Sequence, residues 1–295
     1  MRRNTLLLLA LAITTTAAGV TTLAIGLRQE TRPAAFDTPP PTPAASAATT
    51  GAPAQTATQL PGATRPDSRP PVVDHGPRTG DKVALTFDAD MTEGMLRNLR
   101  SGRVKSYANL RIIELLEREQ VPATFFLTGM WVEQYPDLTR RIAENPRFEL
   151  ANHTYSHLAF TDDCYDLPQL PPDQMTEDVA KTFSIIEQYG GRQTRYFRFP
   201  GLCHDDRALA ALAPLGLTVV DGDVISGDPF ATSWRPIVDT VLTKVRPGSV
   251  IILHVTEANA AMTDEALPHI LAGLRDRGLT PAPLSEVLGH APQPA

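Results

Sequence analysis

Five short apolar runs each lead into polar residues able to bind a metal ion or move a proton. The first ends in Thr86-Phe87-Asp88-Ala89-Asp90, and another runs into Asn152-His153-Thr154-Tyr155-Ser156-His157. A third contains Arg198-Phe199-Pro200-Gly201, a fourth leads into Asp221-Gly222-Asp223 and on to Asp228, and the last ends in Leu253-His254-Val255. Taken singly, an Asp after a strand is ordinarily a turn residue, and a lone His is ordinarily packed in a core. Five such groups together read as one site. On a helix, the spacing of His153 and His157 would put both imidazoles on one face, where they could grip one divalent ion. An Asp from the first run would be the third ligand, leaving positions open for water and substrate. Such an ion lowers the pKa of its water and polarises a carbonyl, as amide or ester hydrolysis requires. A separate carboxylate would act as base on the attacking water, and His254 could protonate the leaving group. Arg198 is a natural partner for a buried carboxylate.

The elements that must position these residues begin at Asp81. Strands are expected at Val83–Phe87, Ala123–Thr128, Phe148–Ala151, Tyr196–Phe199, Thr218–Val220 and Val250–Leu253. Between them, Ala108–Arg118, Pro136–Glu144, Met175–Tyr189, Ala208–Ala213, Ile237–Val245 and Glu265–Arg275 show helical spacing. Thr176 stands where a cap would precede the third of these helices, and Gly190-Gly191 close it. Strand–helix alternation implies an α/β fold with a parallel sheet. About seven such units predict a distorted (β/α) barrel, whose catalytic groups belong at the carboxyl ends of the strands. One catalytic domain over residues 76–295 accounts for this pattern.

The preceding residues read differently. Arg2 and Arg3 precede the apolar run Leu6–Ile13, so residues 1–30 read as a signal peptide or membrane anchor. Residues 31–75 are rich in Pro, Ala and Thr and read as a disordered linker, too poor in apolar surface to offset the entropy of ordering. The expected location is therefore outside the cytosol, in the cell envelope or beyond it, with membrane contact only through the N-terminal segment. A net charge of −6 without clustered Lys and Arg argues against a nucleic-acid partner. Only two cysteines occur, Cys164 and Cys203. Both belong to loops at the mouth of the expected site, and export places them where a disulfide persists, so they are expected to pair.

The chain resembles the polysaccharide deacetylase family, carbohydrate esterase family 4, over roughly Lys82 to Leu288. The resemblance rests on Val83-Ala84-Leu85-Thr86-Phe87-Asp88, on Pro122-Ala123-Thr124-Phe125-Phe126-Leu127, and on Glu149-Leu150-Ala151-Asn152-His153-Thr154-Tyr155-Ser156-His157. It implies a distorted barrel, a divalent ion with zinc foremost, and removal of acetyl groups from chitin-like, peptidoglycan or xylan-type polymers. By the same resemblance, Asp88 is the catalytic base and His153 and His157 are metal ligands. Arg198 holds the base, His254 is the general acid, and Asp228 orients that acid.

Two positions depart from the family pattern. Ala89 stands where the family has a metal-binding Asp, and Asp90 replaces the usual glycine, so Asp90 is expected to take over as ligand. Pro229 replaces an aromatic after Asp228, which leaves Asp223 as an alternative partner for His254. The remaining histidines, His75, His269 and His290, read as solvated; His204 could border the groove. Trp131 and Trp234 read as packing residues before sugar platforms. The expected activity is N-deacetylation of an envelope polysaccharide by a monomer. An O-acetyl esterase acting on a xylan-type polymer and a catalytically silent glycan-binding protein stand as alternatives.

Overall fold

The computed structural model describes residues 69–289. The expected signal peptide or anchor, most of the expected linker, and His290 lie outside them. Among the described residues are nine strands: β1 (Val72–Val73), β2 (Lys82–Ala89), β3 (Ala123–Leu127), β4 (Phe148–Asn152), β5 (Arg192–Phe197), β6 (Thr218–Val220), β7 (Val224–Ile225), β8 (Val250–His254) and β9 (Thr280–Pro281). The helices are α1 (Glu93–Arg100), α2 (Leu110–Arg118), α3 (Gly129–Gln134), α4 (Pro136–Glu144), α5 (Met175–Glu187), α6 (Asp206–Leu212), α7 (Trp234–Lys244), α8 (Thr263–Asp276) and α9 (Leu284–Val287).

The strands pair in parallel in the order β1-β6-β5-β4-β3-β2-β8-β7, with β9 joining the start of β2. They form a curled half-barrel flanked by helices, as the strand–helix alternation predicts. β1 falls within the stretch that composition assigns to the linker, yet it pairs with β6 through Val72 and Val73. A two-residue strand carries too little apolar pattern to be read from sequence. α1 lies inside the long segment between Met91 and Asn109, and the Thr92 side chain accepts a hydrogen bond from the Met95 amide to cap it. Thr176 is not a cap. It sits inside α5, and its hydroxyl donates to the Ala211 carbonyl at 2.6 Å.

Strand alternation divides the core. Val83, Leu85, Phe87 and Ala89 of β2 pack with Phe125, Leu150 and Leu253 in the largest apolar cluster. Residues of the opposite parity, including Ala84, Phe126, Ala151 and Val220, form a second cluster closed by Leu284 and Val287 of α9. Glu149, 1% exposed, joins β4 to that helix. It accepts hydrogen bonds from Arg192 at 2.8 Å, from Thr124 at 3.1 Å, and from the amide and hydroxyl of Ser285.

This network sits far from the polar strand ends and generates a stability prediction. Glu149→Ala strands several buried donors and should lower unfolding free energy by about 3 kcal/mol in denaturant titration. A change within experimental error would show that the network contributes no net stability.

Candidate active site

The carboxyl ends of β2, β4 and β8 meet with the loops after β5 and β7 around one cavity of about 200 Å³. Period-2 alternation continues past the end of β2: Met91 stays in the apolar cluster with Ala89. Asp88 and Asp90 therefore face the cavity together, while the residue between them is core. Both carboxylates are buried, at 4% and 7% exposure, so each needs a partner.

Asp88 has Arg198. The fully buried guanidinium donates from Nη1 to Asp88 Oδ1 at 2.6 Å, donates from Nε to the Val220 carbonyl at 3.0 Å, and lies 3.9 Å from the Phe126 ring centre. The carbonyl of Arg198 also faces His153 Nδ1 at 2.8 Å. A carbonyl can only accept, so Nδ1 carries the proton and Nε2 presents its lone pair to the cavity.

The two histidines do not share a helix face. His153 and His157 stand on a loop directly after β4, not on the helix that their four-residue spacing would also suit. Instead Thr154 (φ 70°) and His157 (φ 56°) adopt left-handed backbone conformations that turn both imidazoles inward. Such angles cost about 1–3 kcal/mol each for residues with a β-carbon, and more readily persist where surroundings hold them. Here Asn152 Oδ1 accepts from the Thr154 amide at 2.9 Å, the Gly129 amide donates to the Thr154 carbonyl at 3.0 Å, and Asp178 accepts from the Tyr155 amide at 2.7 Å. Sequence reasoning missed Asn152 and Asp178 as braces, because their partners are backbone groups of a turn that the helical reading did not contain.

Asp90 Oδ1 lies 3.5 Å from both His153 Nε2 and His157 Nε2. It is buried and has no hydrogen-bond partner. Burial pushes its carboxyl up, but His157, His254 and His153 outweigh that effect and hold it well below the usual carboxylate range. Burial pushes His157 down to about 4, so this imidazole is neutral near pH 7 and available as a donor. Ligand atoms about 2.0–2.2 Å from a tetrahedral ion stand roughly 3.4 Å apart. The three side chains therefore fit one divalent ion, and an orphaned carboxylate oxygen is what such an ion would satisfy.

His254 closes the far side. Asp228 Oδ1 lies 2.8 Å from His254 Nδ1, and Asp228 Oδ2 accepts from the His254 amide at 2.8 Å. Ser226 donates to Oδ1 at 2.7 Å and Thr263 to Oδ2 at 2.6 Å, so a fully buried carboxylate is completely satisfied. Thr263 left no signal in the sequence, whereas Ser226 stands two residues before Asp228 in a turn. Burial pushes His254 down, but Asp228 and Asp90 outweigh it and raise the imidazole to about 10. Its Nε2 faces Asp90 Oδ2 at 3.9 Å. Asp223 is not the partner of His254; it accepts from Arg78 at 2.7 Å and from the Val250 amide at 2.8 Å.

At the mouth, Cys164 and Cys203 form a disulfide with Cα atoms 6.0 Å apart. His204 lies beside it, 2.8 Å from Asp221, which raises its pKa chiefly through that hydrogen bond. Trp131 is fully buried and donates to the Tyr107 carbonyl at 3.1 Å. Trp234 stacks on His269 with ring centres 4.1 Å apart.

If the three converging side chains form a metal site, His153→Ala should reduce bound zinc from about one ion per chain to near none, by elemental analysis. Far-ultraviolet circular dichroism should be unchanged, because the residue sits on a loop. Full metal content in that variant would dismiss this ligand set.

The comparisons with known proteins agree with this fold. The polysaccharide deacetylase family model matches residues 75–220. A chitooligosaccharide deacetylase of Sinorhizobium fredii is 30% identical over 178 residues, covering 57% of this chain and 79% of that protein. A peptidoglycan-N-acetylglucosamine deacetylase of Bacillus cereus is 28% identical over 204 residues, 69% of this chain and 66% of that protein. Among solved structures, a peptidoglycan N-acetylglucosamine deacetylase superposes with a TM-score of 0.63 at 24% identity, over 76% of this chain and 95% of the other. The chain belongs to the polysaccharide deacetylase family.

Proposed function

We propose that this chain is a metal-dependent hydrolase that removes N-acetyl groups from an acetylated polysaccharide of the cell envelope. One observation carries the reading. The three-residue ligand set, Asp90, His153 and His157, shares its cavity with two separately anchored proton-handling groups, Asp88 on Arg198 and His254 on Asp228.

A divalent ion held by Asp90, His153 and His157, with zinc suited to this nitrogen and oxygen set, would supply a Lewis acid that activates water and polarises the acetyl carbonyl. Asp88, oriented by Arg198, takes one proton from the attacking water. His254 gives one proton from Nε2 to the leaving nitrogen as the carbon–nitrogen bond breaks, while Asp228 steadies the imidazolium through Nδ1. The products are a free amine and acetic acid, which ionise to ammonium and acetate, and the proton that Asp88 gains equals the one that His254 loses. An amine leaves far more readily once protonated, whereas an alkoxide depends less on an acid. A protonated imidazole held on Asp228 suits the departure of a nitrogen, and this is the ground for reading N-deacetylation. The retention of base, acid and ligands, each with its own support, speaks against a silent glycan-binding protein.

The envelope as location rests on the sequence. A basic and apolar start followed by a Pro, Ala and Thr-rich stretch suits a catalytic domain exported and held near a membrane or released. The names of the Bacillus cereus and Sinorhizobium fredii relatives support peptidoglycan and chitin-like oligomers as candidate substrates.

Acetate release from peptidoglycan, N-acetylated chitooligosaccharide and acetylated xylan should be measured with and without chelator. Release is expected from an N-acetylated glycan, lost with chelator and restored by zinc. Chelator-insensitive release, or release from xylan alone, would refute the proposal. Asp228→Asn removes the charge that stabilises the imidazolium, so His254 loses its proton at lower pH. The alkaline limb of the rate profile should therefore move down by roughly one to three pH units. An unmoved limb would remove His254 as the acid.

A further inference from the structure

Among the described residues, five large apolar side chains are exposed: Val72, Leu110, Tyr165, Ile225 and Phe230. Three of them, Tyr165, Ile225 and Phe230, line the cavity that contains Asp88, Asp90 and the histidines. Exposed apolar surface is thus concentrated at the site mouth, and such concentration marks binding.

The backbone that carries each of the two exposed rings is held in place. Tyr165 is 65% exposed, yet it follows a half-cystine and has a left-handed backbone (φ 50°), as does Asp166 (φ 59°). Its ring lies directly on the backbone of Gly201 (φ 61°), where a β-carbon would stand 2.8 Å from Tyr165 Cδ2 and 2.7 Å from Cys164 Sγ. Glycine is therefore required there twice, for the angle and for the close approach. Phe230, 79% exposed, ends the turn that begins at the buried Asp228, and its amide donates to the Gly227 carbonyl at 3.1 Å. The ring centres of Tyr165 and Phe230 are 6.4 Å apart with planes inclined at 31°. A third ring between two aromatics needs roughly 7–8 Å, two contact distances of 3.5–4.0 Å. The pair is therefore one broad surface and not a clamp.

We propose that Tyr165 and Phe230 form a sugar platform that stacks the pyranose next to the acetylated one, making the chain selective for oligomers over single sugars. This rests on the deacetylase reading for its orientation: the amide sits among the polar groups at the cavity floor, and the neighbouring ring lies at the mouth. A pyranose offers an apolar C–H face with hydroxyls at its rim. That matches an exposed aromatic surface, which needs an apolar face and leaves the rim to water. The tryptophans do not compete for this role, since Trp131 is buried and Trp234 is covered by His269.

The test compares wild type with Tyr165→Ala/Phe230→Ala and with the ring-preserving Tyr165→Phe/Phe230→Tyr. For each, kcat/KM on N-acetylated chitopentaose is divided by kcat/KM on 4-nitrophenyl acetate, which has no second ring to stack. Chitopentaose affinity is measured separately by calorimetry in chelator. The alanine pair should lower the ratio and the affinity about 10-fold, and the ring-preserving pair should restore both. An unchanged ratio in an active alanine pair would overturn the platform and leave the deacetylase reading intact. Wild type that binds chitopentaose through these rings but releases acetate neither from it nor from peptidoglycan would overturn the deacetylase reading and leave the platform. Wild type that does not bind chitopentaose at all would overturn the platform.

Discussion

Two carboxylates buried two residues apart at the end of the central strand set the terms for the rest of the site. A carboxylate removed from water is costly unless paired, and Asp88 and Asp90 cannot pair with one another. Arg198 answers the first. It does more, because its side chain holds Asp88 while its backbone carbonyl holds His153 Nδ1. One residue thus orients both the expected base and an expected ligand, and its own position is fixed by Val220 and Phe126. The second carboxylate meets three imidazoles and keeps one oxygen without a hydrogen bond. The orphaned oxygen is where the protein's own groups stop and an ion would begin.

Precision at this site comes from supports that have no chemistry of their own. Asp228 receives donors from Ser226, Thr263, and the amide and ring of His254, so the imidazole has one orientation available. Thr154 and His157 hold unfavourable backbone angles only because Asn152, Gly129 and Asp178 brace the turn between them. Loss of such supporting groups typically costs about 10- to 100-fold in metal affinity or activity.

The main strands were legible because their apolar runs are continuous, as strands covered on both faces must be. The two-residue strands β1, β7 and β9 were not, since so short a segment has no periodicity. The polar strand ends identified the site because a parallel α/β sheet gathers its carboxyl ends at one face. Spacing alone misled at His153 and His157: four residues suggested a helix, whereas two left-handed residues bring the same rings together on a loop. Position 90 illustrates the opposite case. The displaced carboxylate was expected to take over as ligand, and strand parity supplies the reason: it places Asp90 beside Asp88 and sends Ala89 into the core. The aromatic pair at the mouth escaped notice because its significance lies in exposure and a disulfide, neither of which a residue type declares.

The central claim is that Asp90 completes a metal site with His153 and His157. It is tested most directly by anomalous diffraction from crystals grown with zinc, recorded on both sides of the zinc absorption edge. The account predicts one strong anomalous peak about 2.0–2.2 Å from Asp90 Oδ1, His153 Nε2 and His157 Nε2. A peak held by the two histidines while Asp90 points away, or no peak in this cavity at saturating zinc, would contradict it.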